Sequence, residues 1–101
     1  MKKNIIINGI NDESQILYEE LLSHGLDDVV FIDSDRELVS NLNYKSENII
    51  AYSGNCISTE FLEFVGVNRE NYQTIFVAMT DSDSFNLISC EIVKLKYELS
   101  E

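Results

Sequence analysis

At 101 residues the chain is one domain at most (residues 1–101), and its 45% hydrophobic and 10% aromatic content is enough to fill a core. Eighteen acidic residues against seven basic ones leave a net charge of −11, which argues against DNA, RNA or an anionic membrane as a partner. Cations, basic proteins and self-association through a locally neutral patch stay open.

The first element is Ile5-Ile6-Ile7, a short, continuous, β-branched run, which is how a strand buried on both faces reads. A helical stretch follows, in which Ile16, Leu17, Leu21 and Leu22 read as one face, with Glu19 and Glu20 outside it and Gly25 as a left-handed stop. Val29-Val30-Phe31-Ile32 is the second strand, and Leu38, Val39 and Leu42 mark a shorter helix after Asp35. Ile49-Ile50-Ala51-Tyr52 is the third strand. Phe61, Leu62 and Val65 belong to a helix begun by Ser58 or Thr59 and closed by Gly66. Thr74 to Met79 is the fourth strand, and Leu87, Ile88, Ile92, Leu95 and Leu99 stripe the last and longest helix.

Strand and helix alternate with short connections, which predicts an α/β fold: a Rossmann-like, doubly wound parallel sheet with right-handed crossovers, truncated to about four strands and four helices. A full dinucleotide-binding fold would continue beyond that point, so the fourth strand or its helix is expected to need a neighbour. The apolar run at the start stops far short of the roughly 18 residues a membrane span needs. Cys56 and Cys90 are too few for a disulfide framework. A soluble, cytoplasmic, thiol-reduced protein without direct membrane insertion is the expectation.

Ligands of an open parallel sheet sit outside the carboxyl ends of its strands. The four loops there are Asn8-Gly9-Ile10-Asn11-Asp12-Glu13-Ser14, Asp33-Ser34-Asp35, Ser53-Gly54-Asn55-Cys56 and Thr80-Asp81-Ser82-Asp83-Ser84. Three features stand out along them: Asp33 closing the second strand, the Gly54-Asn55 turn, and a Thr80…Asp83…Asn86 run opening the last helix. In this order and spacing, over nearly the whole chain, the sequence resembles the N-terminal domain of the regulators of potassium conductance, the domain also found in the Trk potassium-uptake regulator. That resemblance implies a non-catalytic regulatory domain that binds an adenine dinucleotide (NAD) or ATP/ADP. It further implies a dimer or ring gating a membrane potassium channel or transporter subunit from the inner face of the cell membrane. The residues carried over as cofactor-binding are Asn8, Gly9, Ile10, Asp33, Ser34, Asp35, Asn55, Cys56, Thr80 and Asp83.

One departure from the family pattern is plain. Aligned on the first strand, Asn8, Ile10 and Glu13 take the three glycine positions of a Gly-x-Gly-x-x-Gly phosphate loop, and Gly9 is offset from them. Asp12 and Glu13 also put two carboxylates at a helix N-terminus, where they suit the helix dipole but repel a phosphate. Like charges in a partly desolvated site cost on the order of a few kcal/mol, enough to erase ordinary nucleotide affinity. The phosphate site reads as degenerate.

Asp33 lies 24 residues after Gly9, near the spacing of an acidic residue that holds an adenosine ribose. Asp33 or Asp35 as a helix cap is an equally good reading, and Asn55 and Thr80 are likewise ordinary turn or capping residues. A second reading takes the same edge as a hard-cation site for Ca²⁺, built from Asp12, Glu13, Asp33, Asp35, Asp81 and Asp83. Those loops lack the Gly and late Glu of a calcium loop, and acidic residues at helix starts are expected from the dipole alone.

His24 beside Gly25 reads as a helix-end residue without a second His for a metal site or triad. Cys56 lies near any ligand and Cys90 in helix packing, neither with a basic neighbour to lower its pKa. Tyr18, Tyr44, Tyr52, Tyr72 and Tyr97 read as boundary or interface residues. No Tyr-x-x-x-Lys or substrate domain follows residue 80, which weighs against a fragment of an NAD-dependent oxidoreductase. A degenerate scaffold acting through its last helix is the remaining alternative, with homo-oligomer formation as its test.

Overall fold

The computed structural model describes residues 2–82 and Asn86. Four strands, β1 (Lys2–Asn8), β2 (Val29–Asp33), β3 (Ile50–Ser53) and β4 (Tyr72–Ala78), alternate with α1 (Asp12–Ser23), α2 (Arg36–Lys45) and α3 (Thr59–Val65). All neighbouring strands pair in parallel, in the order β3-β2-β1-β4. This is the Rossmann-like α/β sheet expected from the apolar runs. The expected fourth helix, with Cys90, Tyr97 and the Leu87–Leu99 stripe, falls outside the described residues.

The central strand β1 is buried from Asn4 to Asn8 and feeds two cores, as a strand covered on both faces must. Ile5 and Ile7 pack with Tyr18, Phe31, Val39 and Leu42 under α1 and α2, whereas Ile6 packs with Ile32, Leu62, Val65 and Val67 under α3. The outer strand β4 is only half-buried from Ile75 onward, and among the described residues its far edge carries no partner strand.

Each helix is ended by the chemistry its sequence offers. Asn11 caps α1 in a reciprocal box with Ser14, Asp35 caps α2 through the amides of Glu37 and Leu38, and Ser58, not Thr59, caps α3. After α1, Gly25 (φ 79°) sits in the left-handed region and Leu26 donates to the Leu21 carbonyl. After α3, Gly66 (φ 116°) does the same, with Val67 donating to Leu62. Both are Schellman endings, and each seats an apolar side chain beyond the glycine against the helix.

Two expectations for α1 need correction. Its inner face is Ser14, Leu17, Tyr18 and Leu21, at i, i+3, i+4 and i+7; Ile16 is 64% exposed and Leu22 37%. Tyr18 is a core residue and not a boundary one, tilted at 57° against Phe31 with ring centroids 5.5 Å apart. Such a pair contributes about 1 kcal/mol beyond its buried area.

A buried polar knot fastens the amino ends of the sheet. Asn4 donates to the Gly66 carbonyl at 2.8 Å and accepts from the Thr74 hydroxyl at 2.8 Å, so β1, β4 and the end of α3 are tied in one network. Both side chains are 2% exposed, and being satisfied they specify the register without a desolvation penalty.

Candidate functional site

The winding direction reverses at β1: β2 and β3 are laid down on one side, and β4 returns to the other. A parallel sheet splays its connections apart at such a point, which leaves a crevice beyond the carboxyl ends of the strands. A cleft of about 440 Å³ opens there, within the roughly 300–1,000 Å³ range of small-molecule sites.

Of the residues expected to bind a cofactor, Asn8, Gly9, Ile10, Asp33, Ser34, Asp35, Cys56 and Thr80 all line this cleft. Asn55 does not: its side-chain oxygen accepts from the Ile57 amide at 3.1 Å and forms the turn into α3. Asp83 lies outside the described residues. Asn11, Leu38 and Ser82 line the cleft without having been expected to. A polar residue three positions before Ser14 signals a cap from sequence, but nothing local reveals that it also faces a cleft.

Gly9 explains why one glycine survives. Its φ is 119°, and a Cβ there would stand 2.7 Å from the backbone carbon and oxygen of Met79. The residue is demanded by the approach of the β1–α1 loop to the end of β4, not by a phosphate.

Three of the backbone donors that a phosphate would use are already taken. The Ile10 amide donates to Asp33 Oδ2 at 2.9 Å, the Asn11 amide to Ser14 Oγ at 3.0 Å, and the Ser14 amide to Asn11 Oδ1 at 2.9 Å. Asn11 Nδ2 then reaches across the groove to the Met79 carbonyl at 2.6 Å and fixes the start of α1 to the end of β4. Beside that bridge, a smaller space of about 230 Å³ is lined by Asp12, Glu13 and Asp81. A phosphate placed there would meet three carboxylates and find the Asn11 and Ser14 amides already paired.

Asp33 and Asp35, read as alternatives for capping, divide the work. Asp35 caps α2 with Oδ1 on the amides of Glu37 (2.9 Å) and Leu38 (3.3 Å). Asp33 spans two loops, with Oδ2 on Ile10 N and Oδ1 on Asp35 N, each at 2.9 Å. Each oxygen of a carboxylate has a second lone pair, so both aspartates can still accept from a ligand.

Across the crevice, Thr80 is held by Asn86, whose side-chain oxygen accepts from both the Thr80 amide, at 2.9 Å, and the Thr80 hydroxyl. Asn86 Nδ2 returns a bond to the Thr80 carbonyl at 3.0 Å. Thr80 and Asn86 therefore brace each other.

Asn8 stands apart. It is 1% exposed, it lies in the wall of the cleft, and its Nδ2 has no hydrogen-bond partner. An unpaired buried donor costs roughly 1–3 kcal/mol. Cys56 is also buried in this wall, and burial, with the nearby Asp33 charge, pushes its thiol up to about 12, so it stays protonated and is no nucleophile.

No basic side chain is among the described residues of the cleft wall, which presents Asp33, Asp35 and Asp81 instead. Among the described residues no group of three or more His, Cys, Asp or Glu is placed to hold a metal ion. Of the six acidic residues considered for Ca²⁺, Asp12 and Glu13 face the smaller space, Asp33 and Asp35 the larger, and Asp81 both. His24 ends α1 in the open, with Nδ1 2.8 Å from the Glu20 carbonyl oxygen. Among the described residues no helix is long and apolar enough to cross a membrane.

No curated protein matches the chain significantly. A family model does: the TrkA-N domain matches residues 5–100, and so takes in β1 from Ile5 onward, the other described strands and helices, and the whole cleft described above. Domains of this family are regulatory and nucleotide-binding in type and not catalytic, and are associated with potassium transport. By a match of that extent, the chain belongs to the TrkA-N domain family.

Proposed function

We propose that this domain regulates a potassium channel or transporter from the cytoplasmic side, as a dimer or ring whose arrangement responds to a ligand in the crevice at the strand reversal. The observation that carries this reading is the coincidence of the family match with an open cleft at that point, walled by residues of all four strand-end loops and the start of α2. A ligand there touches the ends of β1 and β2 and the residues after β4 together, so its binding energy can bias how those elements sit against a partner. The ligand is of nucleoside type, whether or not phosphates are attached, and the domain performs no chemistry on it. Potassium uptake by cells expressing the membrane subunit with and without this protein tests the reading. Uptake that changes on adding the wild type and not on adding a cleft-filling Ser34→Trp variant supports it, whereas uptake indifferent to the protein refutes it.

A pure scaffold that takes no small molecule is the second reading, favoured by the internally paired amides of Ile10, Asn11 and Ser14. The two part on whether the Ser34→Trp variant loses regulation while keeping its oligomeric state by light scattering.

A further inference from the structure

We propose that the crevice selects an unphosphorylated nucleoside over its nucleotides, with Asn8 as the residue that reads the ligand. This rests on the nucleoside-type reading of the cleft and names which member of that class it takes.

Three independent observations meet in it. First, three amides of the anion-binding loop are taken internally, Ile10 N by Asp33, Asn11 N by Ser14 and Ser14 N by Asn11, and Asn11 bridges the groove to Met79. Second, the walls repel negative charge, with Asp33, Asp35 and Asp81 in the cleft and Asp12 and Glu13 beside its phosphate end. These features suit a ligand that donates hydrogen bonds, because the spare lone pairs of Asp33 and Asp35 can accept from sugar hydroxyls. Third, Asn8 is 1% exposed and its Nδ2 has no partner. A donor kept unpaired in the wall of a cleft is costly unless something with an acceptor enters, and a ring nitrogen or carbonyl of a base is such an acceptor.

The ligand class follows from the sum. It has hydroxyl donors at one end, an acceptor at the other and no negative charge, and it fits about 440 Å³. A nucleoside has these properties and its di- and triphosphates do not.

The test is calorimetric titration of the purified chain with adenosine, guanosine, AMP, ADP and NAD⁺, with Asn8→Leu and Asn8→Ala as variants. The expected result is that one nucleoside binds at least tenfold more tightly than any phosphorylated form. Asn8→Leu should remove that binding while melting at or above the wild-type temperature, since it deletes the orphaned donor at nearly constant volume. If Leu does not fold, the smaller Asn8→Ala carries the same expectation for binding. Tighter binding of AMP, ADP or NAD⁺ overturns the selectivity and leaves the nucleotide-type reading intact. No binding by any of the five overturns both. Unchanged nucleoside affinity in a folded Asn8 variant means that solvent satisfies the amide, and overturns the role given to it.

Discussion

The two sides of the crevice treat hydrogen-bond donors in opposite ways. At the start of α1 the amides of Ile10, Asn11 and Ser14 are paired within the protein, and Asn11 is pinned to β4. A few ångströms of chain away, at the last residue of β1, Asn8 keeps a buried donor with nothing to bond. A loop that closes on itself is stabilised by groups that an anion would otherwise use. A strand end that leaves a donor open gives up stability, and proteins concentrate such costs at functional positions.

The sharpest way to break this comparison is at the glycine that joins its two sides. Gly9→Ala must place a Cβ 2.7 Å from Met79 backbone at φ 119°, and neither strand can retreat. We expect a loss of about 3–5 kcal/mol, read as a large fall in the urea midpoint. Gly54→Ala is the control. Its Cβ would approach within 2.5 Å of the Phe61 ring, which can turn aside, so about 1–2 kcal/mol is expected.

Next in size is the self-closed side. Asn11→Ala removes the cap of α1 and the bridge to Met79 together, and should cost about 2 kcal/mol. Asp33→Ala strands two amides at once and should cost about 1–3 kcal/mol, with Asp33→Asn recovering part of it through its remaining oxygen. Equal losses for Asp33→Ala and Asp33→Asn in urea denaturation would show that charge, not acceptor count, holds the loop.

What the sequence disclosed and what it concealed divide along the same physical line. Strands such as Val29–Ile32 are legible because burial on both faces leaves a continuous apolar run, which few other environments produce. The lost glycines at Asn8, Ile10 and Glu13 were equally visible, since a glycine's role depends on its own missing side chain. Tyr18 and Ile16 were misassigned because hydrophobicity alone ranks isoleucine inward, while the 3.6-residue period places Tyr18 over Phe31. Asp33 is legible as the residue that closes β2, but its partner is Ile10, 23 positions earlier, and a bond across two loops has no local signature. The openness of Asn8 is less legible still, because only the assembled wall decides whether a donor has a partner.

The smallest effect belongs to Cys56, in the same wall, and it arises only in alkali. Its thiol ordinarily titrates near 9 and is pushed up to about 12 by burial, with the Asp33 charge adding to it. Below pH 8 the thiol is protonated both folded and unfolded, so it contributes no pH dependence. Between pH 9 and 12 the unfolded chain releases the proton and the folded chain holds it, so stability falls as pH rises, with a limiting slope of about 1.4 kcal/mol per pH unit. Other groups titrate in that window, tyrosines above all, so the quantity to measure is the difference between the wild type and Cys56→Ala across pH 8 to 10.5. That difference should be flat up to about pH 8.5 and then narrow, as the wild type alone pays to keep its thiol neutral. In parallel, iodoacetamide at pH 8 should leave the Cys56 peptide unmodified until urea is added. Labelling in the folded state would mean that the wall opens to water, and an open wall would give the Asn8 amide a partner from solvent.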